Sequence, residues 1–455
     1  MQNVKPSKTA FFCQECGYQT PKWLGRCPAC GAWNRFVEEE EPASPPGGEA
    51  DLSFNTHPLP IDEITADEGE RILTGIDEMD RVLGGGVVGG SVILVGGEPG
   101  IGKSTLLLQI LQQLATRGNK VLYVSGEESA KQIRLRGQRV GALSDNLLVL
   151  TEISIEKIIG HFREVQPAIL VVDSIQTTHS ANLSSAPGSV GQVREGAQQF
   201  VLLAKKTGVP VFIIGHVTKD GAIAGPKILE HMVDTVLYFE GDSGHPYRIV
   251  RAIKNRYGPT NEVGVFEMGG SGLKEVENPS SFFLNERPEG TVGSVVVPSI
   301  EGTRPILIEI QGLVGTNLFG TPRRTAIGVD HNRVSLLTSV MDKVWGKNIC
   351  GHDIFINVAG GIKVDEPAVD LGVVSTILSS FLDRPIDSHT VVLGEVGLTG
   401  EIRRIAQIEE RVKEATRMGF TRYILPKGHK GILPSSSKIK LFPIDNLRQL
   451  TEHLF

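Results

Sequence analysis

The stretch GGEPGIGKST, residues 96 to 105, constrains this chain more than any other. Within it, Gly97-x-x-x-x-Gly102-Lys103-Ser104 follows the apolar run SVILVG and opens the helical pattern KSTLLLQILQQLATRG. A strand, a glycine-rich turn and a helix N-terminus in that order form a phosphate-binding loop. Glycines let backbone N–H groups converge on phosphate oxygens, and the helix end adds partial positive charge. The whole run Gly97, Glu98, Pro99, Gly100, Ile101, Gly102, Lys103, Ser104 and Thr105 is therefore expected to cradle a nucleotide. Lys103 is placed to reach the β- and γ-phosphates of ATP, and Ser104 to coordinate Mg²⁺.

Around this loop, short apolar runs (SVILVGG, KVLYVSGEES, AILVVDS, VPVFIIGH) alternate with segments of helical spacing. Continuous apolar strands between helices predict a parallel sheet covered on both faces. AILVVDS ends in Asp173, and an acid at the carboxyl end of such a strand is the expected second partner of Mg²⁺. KVLYVS is followed by Glu127 and Glu128, either of which could orient or deprotonate an attacking water. Glu127 is the preferred candidate, although both acids could simply favour the start of the next helix. His216 ends the fourth run and is either a packed residue or a contact for the terminal phosphate.

Cys13, Cys16, Cys27 and Cys30 lie ahead of this region, in CQECGYQTPKWLGRCPAC. Two C-x-x-C pairs can close a tetrahedral thiolate shell around Zn²⁺, and four thiolates leave no open position, so the zinc would be structural. A redox pair or two disulfides would leave the duplication unexplained. Trp23 and Trp33 are expected to pack on this small module, and the lone Cys350 to be a core thiol. The acidic, Pro- and Gly-rich residues 38 to 60 read as a linker. The resulting division is a zinc module at 1–36, a linker at 37–60, an ATPase domain at 61–275 and a mixed α and β domain at 280–455. The net charge of −6 neither announces nor excludes a nucleic-acid partner. The chain shows no apolar run long enough for a membrane helix and no secretory signal, so a cytoplasmic location is expected.

Near the end of the ATPase region, AIKNRYG sets Lys254 and Arg256 on either side of Asn255 with no acid nearby in the sequence. GGEPGIGKST, VSGEES, LVVDS and GHVTKDG, in this order, resemble a RecA-type ATPase core. With the cysteine pairs ahead and KNRYG behind, the whole chain resembles the RadA/Sms family of bacterial recombination and repair proteins. The family's usual Lys-Asn-Arg-Phe-Gly has Tyr257 at its fourth position here.

The resemblance implies a DNA-dependent ATPase of homologous recombination and DNA repair. It would form a ring, expected to be hexameric, on single-stranded DNA and act as a helicase or in branch migration of recombination intermediates. It implies the RecA recombinase as a partner. Lys254 and Arg256 would then reach the γ-phosphate of ATP held by the next subunit. The loops at 179–199 and 218–231 would face DNA through Arg194, Lys219 and Lys227. The C-terminal segments NVAGGIKVDEPAVDLGVVSTILSS and GEVGLTGEIRRIAQIEERVKEA are similar to the proteolytic domain of the Lon protease. Ala368 stands where that family has its nucleophilic Ser, and Glu409 where it has its Lys, so peptidase activity is not expected. The expected fold is α/β: a RecA-like P-loop core with a four-cysteine zinc module before it and an α+β Lon-protease-like domain after it. The competing function is a KaiC-like regulatory ATPase ring that does no work on DNA.

Overall fold

The computed structural model describes residues 9–13, 18–29, 31–40, 60, 71–216, 228–241, 247–260, 262–285, 287–317, 320–429 and 439–455. Two compact units divide the chain, Met1–Glu275 and Val276–Phe455.

The N-terminal residues form a small antiparallel sheet of β1 (Thr9–Cys13), β2 (Gln19–Thr20) and β3 (Phe36–Glu40), in the order β2-β1-β3. Cys13, Cys27 and Phe36 form its buried centre. The strand β3 corrects the expected linker start at 37: residues 37 to 40 pair in register with β1, because Phe36 anchors the strand in that centre. Trp23 and Trp33 do not pack inward as expected, being 51% and 67% exposed. A module with so small a core has no room for two indoles, and the Arg26 guanidinium instead lies 5.6 Å from the Trp33 ring centroid.

The nucleotide-binding part of the first unit begins with α1 (Asp77–Val82) and continues as β4 (Val92–Gly97), α2 (Lys103–Thr116), β5 (Val121–Ser125), α3 (Ala130–Val140), β6 (Leu147–Thr151), α4 (Ile155–Val165), β7 (Ile169–Asp173), α5 (Val190–Thr207) and β8 (Val211–His216). It closes with α6 (Ile228–Met232), β9 (Thr235–Glu240), β10 (Tyr247–Asn255), β11 (Val263–Gly269) and β12 (Gly272–Glu275). These strands form one sheet of order β12-β11-β10-β9-β4-β8-β7-β5-β6. β9, β4, β8, β7, β5 and β6 run parallel, while β10, β11 and β12 extend it as antiparallel strands.

The parallel strands read as continuous apolar runs because both their faces are buried. Ile93 and Val95 of β4 and Val171 of β7 join the core under α2, with Leu106, Leu107 and Ile110. Their neighbours Leu94 and Val172 point to the other face, against Phe162 of α4 and Phe200 of α5. This two-residue alternation stacks helices on both sides of the sheet. Because these strands run parallel, the carboxyl ends of β4, β5, β7 and β8 lie at one edge.

The second unit carries α7 (Pro279–Leu284), β13 (Ser294–Glu301), β14 (Arg304–Gly315), β15 (Arg324–Ile327), α8 (His331–Trp345), β16 (Asp353–Val358) and α9 (Asp370–Leu382). It continues with β17 (Thr390–Val392), β18 (Glu395–Val396), β19 (Ile402–Arg403), α10 (Ile408–Arg417), β20 (Arg422–Pro426), β21 (Lys440–Ile444) and α11 (Leu450–Leu454). A seven-stranded mixed sheet runs β15-β16-β14-β13-β17-β20-β21, and β18 pairs with β19 apart from it. Cys350 is only half-buried, between α8 and β16, where partial burial raises its thiol pKa.

Candidate nucleotide site

The phosphate loop occupies the turn between β4 and α2, at the carboxyl edge of the sheet. Its glycines are required by space as well as by backbone conformation. Gly97 has φ +149° and a Cβ there would lie 2.8 Å from Phe239 Cβ; Gly102 has φ +124° and a Cβ would lie 2.7 Å from Met268 Cε. Lys103 heads α2 and is buried, its Nζ donating to the carbonyl oxygens of Gly97 at 2.7 Å and Glu98 at 2.8 Å. The ammonium is thus held inside the loop by bonds it can exchange for phosphate oxygens. From β10, the buried Arg248 braces the loop by donating Nε to the Ile101 carbonyl at 3.2 Å.

Burial lowers the Lys103 pKa to about 8, against the opposing pull of Asp173, Glu127 and Glu98. A phosphate ligand favours the charged amine, so ATP binding should draw a proton onto Lys103 once the pH passes this value. ATP affinity is expected to be flat below pH ~7.5 and to weaken up to tenfold for each unit above pH ~8. Titration of a fluorescent ATP analogue between pH 6.5 and 9.5 checks this, and Lys103→Arg, which keeps its charge, should remove the slope.

Asp173 ends β7 opposite Ser125, and its carboxylate accepts a hydrogen bond from the buried Tyr123 hydroxyl. Ser104 and Asp173 are donors of the type that holds Mg²⁺, an alcohol and a carboxylate at one sheet edge. Glu127 and Glu128, adjacent in sequence, part company. Glu127 Oε1 accepts from Ser174 Oγ and meets His216 Nε2 at 2.9 Å. The His216 bond, helped by Ser174, holds the Glu127 carboxyl below its ordinary range. Glu128 instead forms an ion pair with Arg136 of α3. Ser129, not either acid, caps α3. His216 pairs across the sheet with Gly97, at the end of β8. Tyr123, Ser174 and Arg248 were not singled out from sequence. Their only signal is a polar residue in or beside an apolar strand, and many sites unrelated to ligands share it.

Lys254 and Arg256 lie at the opposite edge of the sheet. β10 runs antiparallel to β9, so its last residues meet the start of β9, beside the start of β4. Val92 and Gly97 bound β4, which puts the two edges roughly 17 Å apart. Lys254 Nζ donates to the carbonyls of Glu230 at 2.7 Å and Val233 at 2.8 Å, at the C-terminal end of α6. Its pKa is lowered by burial and then by Arg256. The acid missing from the local sequence is Asp234, which accepts from the Val92 amide at 3.0 Å and from Lys205 Nζ at 2.8 Å. The Arg256 side chain is 57% exposed, with Nη1 3.5 Å from Asp234 Oδ1. Tyr257, in place of the expected Phe, uses its hydroxyl to meet Lys205 Nζ at 3.3 Å.

The remaining candidates separate. Arg194 is exposed on α5, whereas Lys219 and Lys227 lie outside the described residues. Cys13 and Cys27 are buried, and Cys16 and Cys30 lie outside the described residues. The described half of the set has knuckle geometry: Cys13 N donates to Tyr18 O at 3.0 Å, and Cys27 N to Ala32 O at 2.8 Å. Two buried thiols at such turns fit a zinc ribbon. In the second unit Ala368 is buried and Glu409 exposed at the start of α10. The two segments are joined by a different pair, Glu366 and the buried Arg411, bonded through both terminal guanidinium nitrogens. Among the described residues no helix is long and apolar enough to cross a membrane.

Comparison with known proteins finds relatives spanning nearly the whole chain. A protein 51% identical over 448 residues, spanning 98% of both chains, is the DNA repair protein RadA of Halalkalibacterium halodurans. The chain belongs to the RadA family. The RadA of Bacillus subtilis is 54% identical over 92% of this chain and 93% of its own, and that of Streptococcus pyogenes serotype M3 48% identical over 98% and 99%. Family models match an AAA domain at residues 60–222, a rubredoxin metal-binding domain at 11–38 and the ChlI subunit of Mg-chelatase at 308–429. The architecture is thus that of this RadA family: a zinc ribbon, a RecA-like P-loop ATPase core and a Lon-protease-like domain.

Proposed function

We propose that this RadA-family chain is a DNA-dependent ATPase that works as a ring on single-stranded DNA, unwinding or branch-migrating recombination intermediates. The observation that carries this reading is the placement of KNRYG. An exposed Arg256 some 17 Å from the phosphate loop of its own chain can act on ATP only in a neighbouring subunit. Head-to-tail closure of such contacts gives a ring, for which six subunits are proposed.

In turnover, Lys103 exchanges the Gly97 and Glu98 carbonyls for phosphate oxygens. Ser104 and Asp173 would hold Mg²⁺, which supplies charge neutralisation of the phosphates when bound. Glu127, ionised and aimed by His216, orients and deprotonates water. Arg256 of the adjacent subunit stabilises the charge that develops on the transferring phosphate. Lys254, expected beside Arg256 at that interface, holds the Glu230 and Val233 carbonyls within its own chain. The segment holding Lys219 and Lys227, with Arg194, is the proposed DNA contact. Zn²⁺ on the four cysteines, the RecA recombinase as partner and loss of peptidase activity through Ala368 and Glu409 complete the proposal.

The test is complementation. Lys103→Ala and Arg256→Ala should each abolish most single-stranded-DNA-stimulated ATP hydrolysis. Mixing the two proteins should restore part of it, because some interfaces then pair an intact loop with an intact Arg256. An additive, unrestored rate would refute action across an interface. Turnover indifferent to DNA in the unaltered protein would favour a KaiC-like regulatory ring.

A further inference from the structure

The Tyr123 side chain is 1% exposed, in the middle of β5, with its hydroxyl bonded to Asp173 Oδ2. A phenol has one proton to give, and here it goes to the carboxylate. Burial, followed by the charge of Asp173, raises the Tyr123 pKa, so the phenol keeps that proton.

We infer that Tyr123 is a positioning residue for the metal, acting through Asp173 without touching it. The Tyr123 bond pins Asp173 Oδ2 and leaves Oδ1 as the oxygen to offer a metal. Support of this kind typically contributes 10- to 100-fold to metal affinity or activity. A phenylalanine would fill the same space in the core of β5 with no such effect, so packing alone does not call for a tyrosine here.

The inference rests on Ser104 and Asp173 being the Mg²⁺ donors. The experiment is a Mg²⁺ titration of the binding of a fluorescent, non-hydrolysable ATP analogue to the full chain, unaltered and as Tyr123→Phe. In the variant the half-saturating Mg²⁺ concentration should rise about tenfold or more, and high Mg²⁺ should recover full binding. Affinity for the analogue in EDTA should stay within about twofold of the unaltered protein. A Mg²⁺ midpoint unchanged within about twofold would overturn the role of Tyr123. Loss of binding that Mg²⁺ does not rescue would also overturn it, by showing a general structural defect. An unaltered protein with no Mg²⁺ dependence would instead refute the Ser104 and Asp173 assignment on which the inference stands.

Should Tyr123→Phe fail to fold, 3-fluorotyrosine placed at position 123 alone keeps the hydroxyl and the shape. Its ¹⁹F resonance should shift when Mg²⁺ is added at saturating analogue, and a resonance indifferent to Mg²⁺ would overturn the proposal.

Discussion

Glu127→Gln is expected to lower ATP turnover by ~10²- to 10⁴-fold while leaving nucleotide binding within about threefold of the unaltered protein. The substitution keeps the shape and the hydrogen bonds to Ser174 and His216 but removes the base. Binding rests on the phosphate loop and Lys103, which the change does not touch. Glu128→Gln should do far less. It breaks a half-exposed ion pair with Arg136, a contact of the kind worth at most about 1 kcal/mol. Single-turnover hydrolysis, measured beside analogue binding for the two variants, separates these outcomes. If Glu128→Gln proved the inactive one, the assignment of the two acids would have to be exchanged.

Arg411→Ala is expected to destabilise the second unit by about 3–5 kcal/mol, lowering its melting temperature by roughly 6–20 °C. Arg411 is 2% exposed, and it donates to the Pro298 and Ala406 carbonyls as well as to Glu366. Removing it leaves the Glu366 carboxylate facing an empty space, still bonded to the Ile300 amide. The double change Arg411→Met with Glu366→Leu removes both charges together and should recover much of the loss. Differential scanning calorimetry of the full chain reads both. A double variant no more stable than Arg411→Ala would show that the carbonyl contacts, not the ion pair, hold this region. The same pair fastens the segment around Ala368 to the first turn of α10. Glu366 lies two residues before Ala368, and Arg411 two after Glu409, so an ion pair now fastens the two segments together.

Much of this was legible along the chain. The phosphate loop, the four apolar runs flanking the site, Asp173 at the end of its strand and the paired cysteines are local patterns, and local patterns survive in a one-dimensional reading. Strand β6, by contrast, was not among the expected runs. It sits at the edge of the sheet beside β5 alone, half-exposed, and so lacks the continuous apolar signature of a buried strand. The exposed tryptophans and the strand at 36–40 were misjudged for a related reason. How much a small module can bury depends on its three-dimensional size.

The sequence by itself determined that this chain binds a nucleotide through a loop between strand and helix, because glycine spacing, lysine and flanking periodicity all act over a few residues. Only the tertiary structure decided what the neighbouring charges do. Glu127 and Glu128 are one residue apart, yet one meets His216 from 89 positions away and the other meets Arg136 on the next helix. Lys254 and Arg256 lack an acid nearby in sequence but find the α6 carbonyls and Asp234 across a strand pair. Burial, partner and direction are set by which strand lies beside which. In a parallel sheet that order comes from long crossovers, whose endpoints no local pattern records.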